Sequence, residues 1–221
     1  MVKYAGMNLL YVAINSAVER GVSEQTISLL LLFPLIAALV AFSRQVIGLV
    51  GFGMLIPVLV TAAFLSTGVL TGLLLFLVVL ATATVARLVL KKVKIPYLPR
   101  LAMVVWSVSL VTLLILLVSP NLSIDKLASI GIFPILLMVM LAESFVETQI
   151  TRTWSTAAIM TAETLGIALL GYGIVTMPAV QNFALTNPFW TVLLTLLLDY
   201  LIGRYKGLRL MEVWRFRKIL N

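Results

Sequence analysis

The chain alternates long apolar runs with short polar interruptions. No charged residue occurs from Gln45 to Ala86, a run long enough to cross a bilayer twice, since one crossing takes about 20 apolar residues. The polar interruptions predict seven spans: Thr26 to Ser43 with Pro34 inside, Val46 to Leu65, Val69 to Leu90, Leu101 to Val118, Leu127 to Ser144, Trp154 to Val175, and Pro188 to Ile202. Ser66-Thr67-Gly68 predicts a tight turn and Pro178 to Asn187 a loop, while Pro96 and Pro99 forbid a continuous helix between spans three and four. Tyr4 to Val18 is apolar but short and carries Asn8 and Asn15, so residues 1–23 read as an interfacial helix or linker. Ser23 suits an N-cap and Glu24 the first turn of the helix that follows. The seven-span domain covers 24–203, and 204–221 form a basic, aromatic tail. The expected fold class is all-α, a polytopic membrane helix bundle.

Two spans are interrupted. Gly51-Phe52-Gly53-Met54-Leu55-Ile56-Pro57 stands in the second, and Gly131-Ile132-Phe133-Pro134 in the fifth. A proline inside a spanning helix frees a carbonyl that lipid cannot satisfy, so that carbonyl must face protein or a wet cavity. Residues 24–92 and 99–176 each read as helix, Gly/Pro-broken helix, long helix. Three crossings is an odd number, so two such units insert with opposite topology, and paired broken helices in inverted repeats point to a midplane site. The plainer reading is that glycine and proline are common in membrane helices.

Composition agrees with a membrane domain. Hydrophobic residues make up 62% and charged ones 11%, against roughly 25% charged in soluble domains, and mean hydropathy is +1.16. The net charge of +8 does not imply nucleic acid, because the cations sit between apolar runs. With no cysteine and no histidine, disulfides, thiol chemistry, Ser-His pairs, the HExxH motif and histidine proton relays are excluded. The two aspartates, Asp125 and Asp199, fall at opposite membrane faces, so they cannot form a protease dyad; no enzyme activity, cofactor or metal is expected. Lys3 before an apolar run imitates a signal peptide, but Glu19-Arg20 interrupts and no small-x-small site follows.

Alternate loops lie on opposite sides of the membrane. Arg44, Arg87, Lys91, Lys92, Lys94, Arg100, Arg152, Arg204, Lys206, Arg209, Arg215, Arg217 and Lys218 fall on one side, and Lys3, Arg20 and Lys126 on the other. The positive-inside rule therefore places the N-terminus outside and the C-terminus in the cytoplasm, as in a bacterial inner membrane. Glu163 falls near the middle of span six, where a charge is costly and faces the bundle interior. Glu143 ends span five, and Glu147 follows one turn later on the same face. Arg44 borders the first break and is the natural partner for an anion; Arg87 is free to snorkel to the cytoplasmic surface. Candidate path residues are thus Arg44, Gln45, Gly53, Pro57, Gly131, Pro134, Glu143 and Glu163. Arg100, Arg204, Arg209, Arg215 and Arg217 are candidates for docking a cytoplasmic partner, and a lipid-surface anchor is the plainer reading of the tail.

Ala41-Phe42-Ser43-Arg44-Gln45-Val46-Ile47-Gly48 with Phe52-Gly53 and Pro57, Leu98-Pro99-Arg100-Leu101, Phe133-Pro134 with Glu143, and Gly203-Arg204-Tyr205 through Arg215-Phe216-Arg217 carry a resemblance. From Val22 to Lys218 the chain resembles the bacterial seven-transmembrane domain usually fused to an inactive transglutaminase-like domain. More distantly, the two breaks are similar to those of the small membrane subunit of poly-γ-glutamate (capsule) synthesis. The resemblance implies a membrane component beside an ATP-grasp-type peptide ligase that makes glutamate-rich peptides. It also implies an outer-face transglutaminase-like domain, for which this chain has no room, so a stand-alone unit or the membrane part of a longer protein is expected. Membrane lipid and a second copy of the chain complete the partners considered. Two functions follow: export, or synthesis-coupled translocation, of an anionic polymer; or a non-transporting scaffold that anchors the ligase and the outer domain.

Overall fold

A computed structural model describes residues 5–91, 93, 95–118 and 132–213. The described residues form helices and no strand, in keeping with an all-α membrane bundle. In chain order these are α1 (Ala5–Glu19), α2 (Glu24–Phe42), a π-helical turn (Ser43–Ile47), α3 (Leu55–Thr67), α4 (Val69–Leu90), α5 (Tyr97–Val118), α6 (Ile132–Thr151), α7 (Trp154–Val175), α8 (Pro178–Thr186) and α9 (Pro188–Arg204). Among the described residues, five stretches are long and apolar enough to cross a membrane, Thr26–Ile47, Val69–Leu90, Leu98–Val118, Ile132–Thr151 and Trp154–Val175, and the bent pair Pro178–Thr186 with Pro188–Arg204 makes a sixth if it counts as one span. The chain divides into two compact units, Met1–Val50 with Leu170–Asn221, and Gly51–Leu169.

In the first unit α9 packs against α2 and α1, and α8 touches both α2 and α9. α1 is about 22 Å long, short of the ~30 Å hydrocarbon core. Ser23 takes the N-cap position with an extended backbone, but its hydroxyl makes no cap bond. The expected loop at Pro178 to Asn187 is instead α8, bent by 111° from α9. A proline opens each of these two helices, where its missing N–H costs no hydrogen bond.

The second unit packs α3 and α4 on α6, with α5 along α4. Its interior is lined at helical spacing by Val60, Ala63 and Phe64 from α3, Leu75, Phe76 and Val79 from α4, and Leu141, Ala142 and Phe145 from α6. Outward positions such as Leu70, Leu77, Trp106, Leu113 and Leu117 are as apolar as the inward ones. Lipid solvates them, so association rests on close packing and hydrogen bonds rather than on the hydrophobic effect. Gly72 illustrates the packing: a Cβ there would lie 2.7 Å from Phe64 Cδ1 and 2.8 Å from Thr67 Oγ1. Buried threonines bond back to their own helices, Thr67 to the Ala63 carbonyl and Thr112 to that of Val108, which satisfies these two hydroxyls. Phe145 and Trp154, edge to face at 5.5 Å, fix the turn from α6 into α7.

Several expected boundaries move. The first span extends to Ile47 through the π-helical turn. The fifth, expected from Leu127 to Ser144, is described from Ile132 and continues to Thr151, which puts Glu143 and Glu147 inside it; its expected start lies outside the described residues. α5 begins at Tyr97 with Pro99 in its first turn, before the Leu101 expected. The tight turn at Gly68 is present, with φ 79° and ψ 151°, a region that residues with a side chain essentially do not enter. Gly68→Ala is expected to cost about 1–3 kcal/mol. Gly166→Ala, with open space at its Cβ inside α7, is expected to be neutral or to stabilise by up to about 1 kcal/mol. Thermal unfolding of the two variants in detergent checks the contrast.

Candidate functional site

Residues 48–54 are not helical, although they lie between apolar helices. The Ser43 carbonyl accepts the N–H groups of Gly48 (3.0 Å) and Leu49 (3.1 Å), and Gly48 turns the chain with φ 97°. Past Gly48 the backbone runs free of a helix until Leu55. The second unit shows how this exposed backbone is met. Phe52 N–H donates to Thr164 Oγ1 on α7 at 2.9 Å, and the same hydroxyl donates to the Met160 carbonyl at 2.7 Å. Gly51 is the only residue type that fits there: its Cβ would stand 2.8 Å from Thr164 Oγ1 and 3.4 Å from the Thr164 nitrogen. One helical turn into α3, the Pro57 carbonyl accepts from Thr61 Oγ1 at 2.9 Å, and that hydroxyl also lies 3.1 Å from the Ala168 carbonyl. Thr61 and Thr164 therefore fasten the break and the start of α3 to one face of α7.

The depth of this seam follows from helix lengths. α3 reaches about 20 Å from the turn at Gly68, short of a ~30 Å core. Thr164 lies ten residues beyond Trp154, so about 15 Å from the other end of the span. Both estimates put Gly51 to Gly53 within the membrane. Glu163 precedes Thr164 on α7 and is half-buried and already engaged by an interaction of its own.

The sequence-predicted residues distribute unevenly over this geometry. Pro57 and Pro134 are both buried, and each is the third residue of its helix. Pro134 stands near the start of the described part of α6, and residues 119–131 before it lie outside the described residues. The second break expected across 131–134 falls partly outside the described residues, which exclude Gly131. Gly53 is exposed, with only Ile56 near its Cβ position. Glu143 and Glu147 are exposed along α6. Arg87 does not snorkel; both of its terminal nitrogens donate to Gln149 on α6, one to the side-chain oxygen and one to the backbone carbonyl at 2.8 Å.

In the first unit, Arg44 is half-buried in the π-helical turn and engaged, and Gln45 is exposed and donates to the Tyr205 carbonyl at 3.3 Å. The start of the tail folds back here, with Arg209 Cβ 3.1 Å from the position a Gly48 Cβ would take. Arg204 is exposed, its guanidinium 5.9 Å from the Tyr200 ring. Arg100 is half-buried and donates to the Ile95 carbonyl at 2.8 Å. Arg215 and Arg217 lie outside the described residues. The residue that sequence reasoning missed is Thr164; a mid-span hydroxyl one position from a mid-span carboxylate was its only signal.

Long apolar helices, packed through glycine and threonine and interrupted at membrane depth, define a polytopic α-helical membrane protein. A family model described as 7 transmembrane helices usually fused to an inactive transglutaminase matches residues 7–220, and the chain belongs to that family. No curated protein and no solved structure matches it.

Thr164→Val removes the acceptor of a buried N–H and is expected to destabilise by about 1–3 kcal/mol, whereas Thr164→Ser keeps the hydroxyl and most of the stability. Comparative thermal melts in detergent check this; equal melts for Val and Ser contradict the seat on α7.

Proposed function

We propose that this domain is a membrane subunit for export, or synthesis-coupled translocation, of an anionic, glutamate-rich peptide or polymer. It sits in a bacterial inner membrane with its N-terminus outside and its C-terminus in the cytoplasm. The observation that carries the reading is the non-helical stretch at 51–54, held at membrane depth against α7 beside Glu163. Lipid does not tolerate irregular backbone, so such a stretch lies against protein or lines a wet cavity. Pro57 and Pro134, at the same position of two packed helices, support a repeat of three-helix units.

The charges divide the work. Arg44 and the cations of the tail would draw the polymer to the cytoplasmic face. Glu143 and Glu163 would repel a polyanion, so they suit a proton or cation that moves with it and so couples or gates the step. Exposed carboxylates on α6 favour a polar surroundings on that helix face over hydrocarbon. A ligase on the cytoplasmic side and a transglutaminase-like domain on the outer face would supply and receive the product.

Purified protein in liposomes, offered labelled oligoglutamate, tests the reading. Uptake above empty liposomes is expected, with Glu163→Gln lowering the rate about tenfold, equivalent to 1.4 kcal/mol on the barrier. Arg44→Ala is expected to reduce export from cells. No flux, silent Glu163→Gln and Arg44→Gln variants, and loss of ligase in a pull-down after deletion of 204–218 would assign the scaffold role instead.

A further inference from the structure

The first unit holds a cavity of about 440 Å³ whose walls come from three of its helix segments. Leu35, Leu39, Phe42 and Val46 follow one face of α2 into the π-helical turn, three or four residues apart. Gly171 and Val175, one turn apart, border it from the end of α7. Leu198, Ile202 and Tyr205 close it along one face of α9. The floor is low, because Gly171 carries no side chain and Ala38 only a methyl, and both are buried. Phe42, Leu198 and Leu201 are exposed at its edge, which opens it sideways to the bilayer.

The walls and dimensions decide what the cavity accepts. A water needs two to four polar partners. Among the described lining residues only Tyr205 has a polar side chain, and its hydroxyl is already used on the Leu208 carbonyl at 2.8 Å. Water and soluble anions are therefore disfavoured, while an unfilled apolar space of this size forfeits dispersion contacts on every wall. From Leu35 to Val46 the space extends eleven residues along α2, about 16 Å. Its volume over that length gives a cross-section of about 27 Å², about 6 Å wide. A helix with its side chains is about 10–12 Å across, so neither a partner's span nor one from a second copy fits inside. A single hydrocarbon chain does, and about 16 Å is half the ~30 Å core, the depth that the chains of one leaflet fill.

One end of the cavity is polar. Gln45, next to Val46, donates to the Tyr205 carbonyl there. Lys206 follows Tyr205 and is exposed, and Arg209 has its Cβ 3.1 Å from the position a Gly48 Cβ would take, two residues past Val46. Arg204 is turned instead toward the Tyr200 ring. A chain-wide apolar slot with cations at one end matches the two parts of an anionic phospholipid. We propose that this cavity holds one acyl chain of an anionic phospholipid, with the headgroup at Lys206 and Arg209. The site stands whether or not the domain moves a polymer.

Native mass spectrometry of the full chain, purified in detergent with added phosphatidylglycerol or phosphatidylcholine, tests the site. One phosphatidylglycerol per chain is expected to stay bound, in preference to phosphatidylcholine. Gly171→Leu and Ala38→Phe fill the floor and should each lose it, whereas Leu113→Ala, on an exposed face of α5, should keep it. Lys206→Gln combined with Arg209→Gln should equalise the two lipids. Phosphatidylglycerol with a photoreactive group on its acyl chain gives a readout on the unaltered protein, and label is expected within 35–46 and 198–205. Label spread evenly over the exposed faces of other helices, or undiminished retention in both filled variants, overturns the site. Equal retention of the two lipids by the unaltered chain overturns the headgroup assignment. A dimer that turns monomeric in Gly171→Leu overturns the lipid in favour of a second copy.

Discussion

A backbone amide in hydrocarbon must find a partner within the protein, and the second unit is arranged around one amide that does. Phe52 N–H reaches Thr164 Oγ1, and this bond ties an irregular segment to the middle of α7. Its requirements spread outward. Gly51 must lack a side chain so that the backbone can approach. Thr164 must pass its own proton to Met160, so that the hydroxyl is free to accept. α3 must be short, because the chain has already entered the membrane before it starts. Thr61 repeats the device four residues below Pro57, where a hydroxyl meets both the Pro57 and the Ala168 carbonyls. Two threonines thus perform the task that regular helix hydrogen bonds perform elsewhere in the unit.

Proline has a consistent meaning in this chain. Pro57 and Pro99 are each the third residue of a helix, and Pro178 and Pro188 are each the first. Among the described helices, Pro34 alone lies in an interior. In the first turn the missing N–H has no intrahelical acceptor to lose, and the fixed φ favours the helix. A proline in a membrane-hydrophobic run therefore reads better as a place where a helix begins than as one where it fails. The first break is real because glycine, not proline, makes it: residues 48–54 precede α3, and Pro57 merely helps α3 to start.

That distinction decides what the sequence could reveal. The spans Val69 to Leu90 and Trp154 to Val175 were legible to the residue, because turns or polar residues bound them on both sides. Glu143 and Glu147 read as the polar end of the fifth span, yet helix hydrogen bonds are indifferent to side-chain charge and α6 runs on to Thr151. The first break was legible in Gly51 and Gly53. Thr164 was not, because a mid-helix threonine ordinarily bonds back to its own helix, as Thr67 and Thr112 do here, and nothing in the sequence shows a second partner arriving from more than a hundred residues away. Arg87 was misread for a similar reason: a terminal arginine on an apolar helix usually snorkels, and only the fold supplies Gln149.

The Arg87–Gln149 bond also bears on topology. It joins the ends of α4 and α6, so the loop after Leu90 and the turn after Thr151 share a membrane face. Counting cations assigns Lys91, Arg100 and Arg152 to one side by the alternation of spans alone. The hydrogen bond reaches the same grouping from geometry, without counting spans. The turn at Gly68 then belongs to the opposite face, because Arg87 lies 18 residues beyond Val69 in α4, about 27 Å along the helix. α3 descends from that opposite face and stops short, which leaves the Gly51 segment roughly a third of the way in from the basic side. An irregular segment at that depth lies nearer the cationic face than the other.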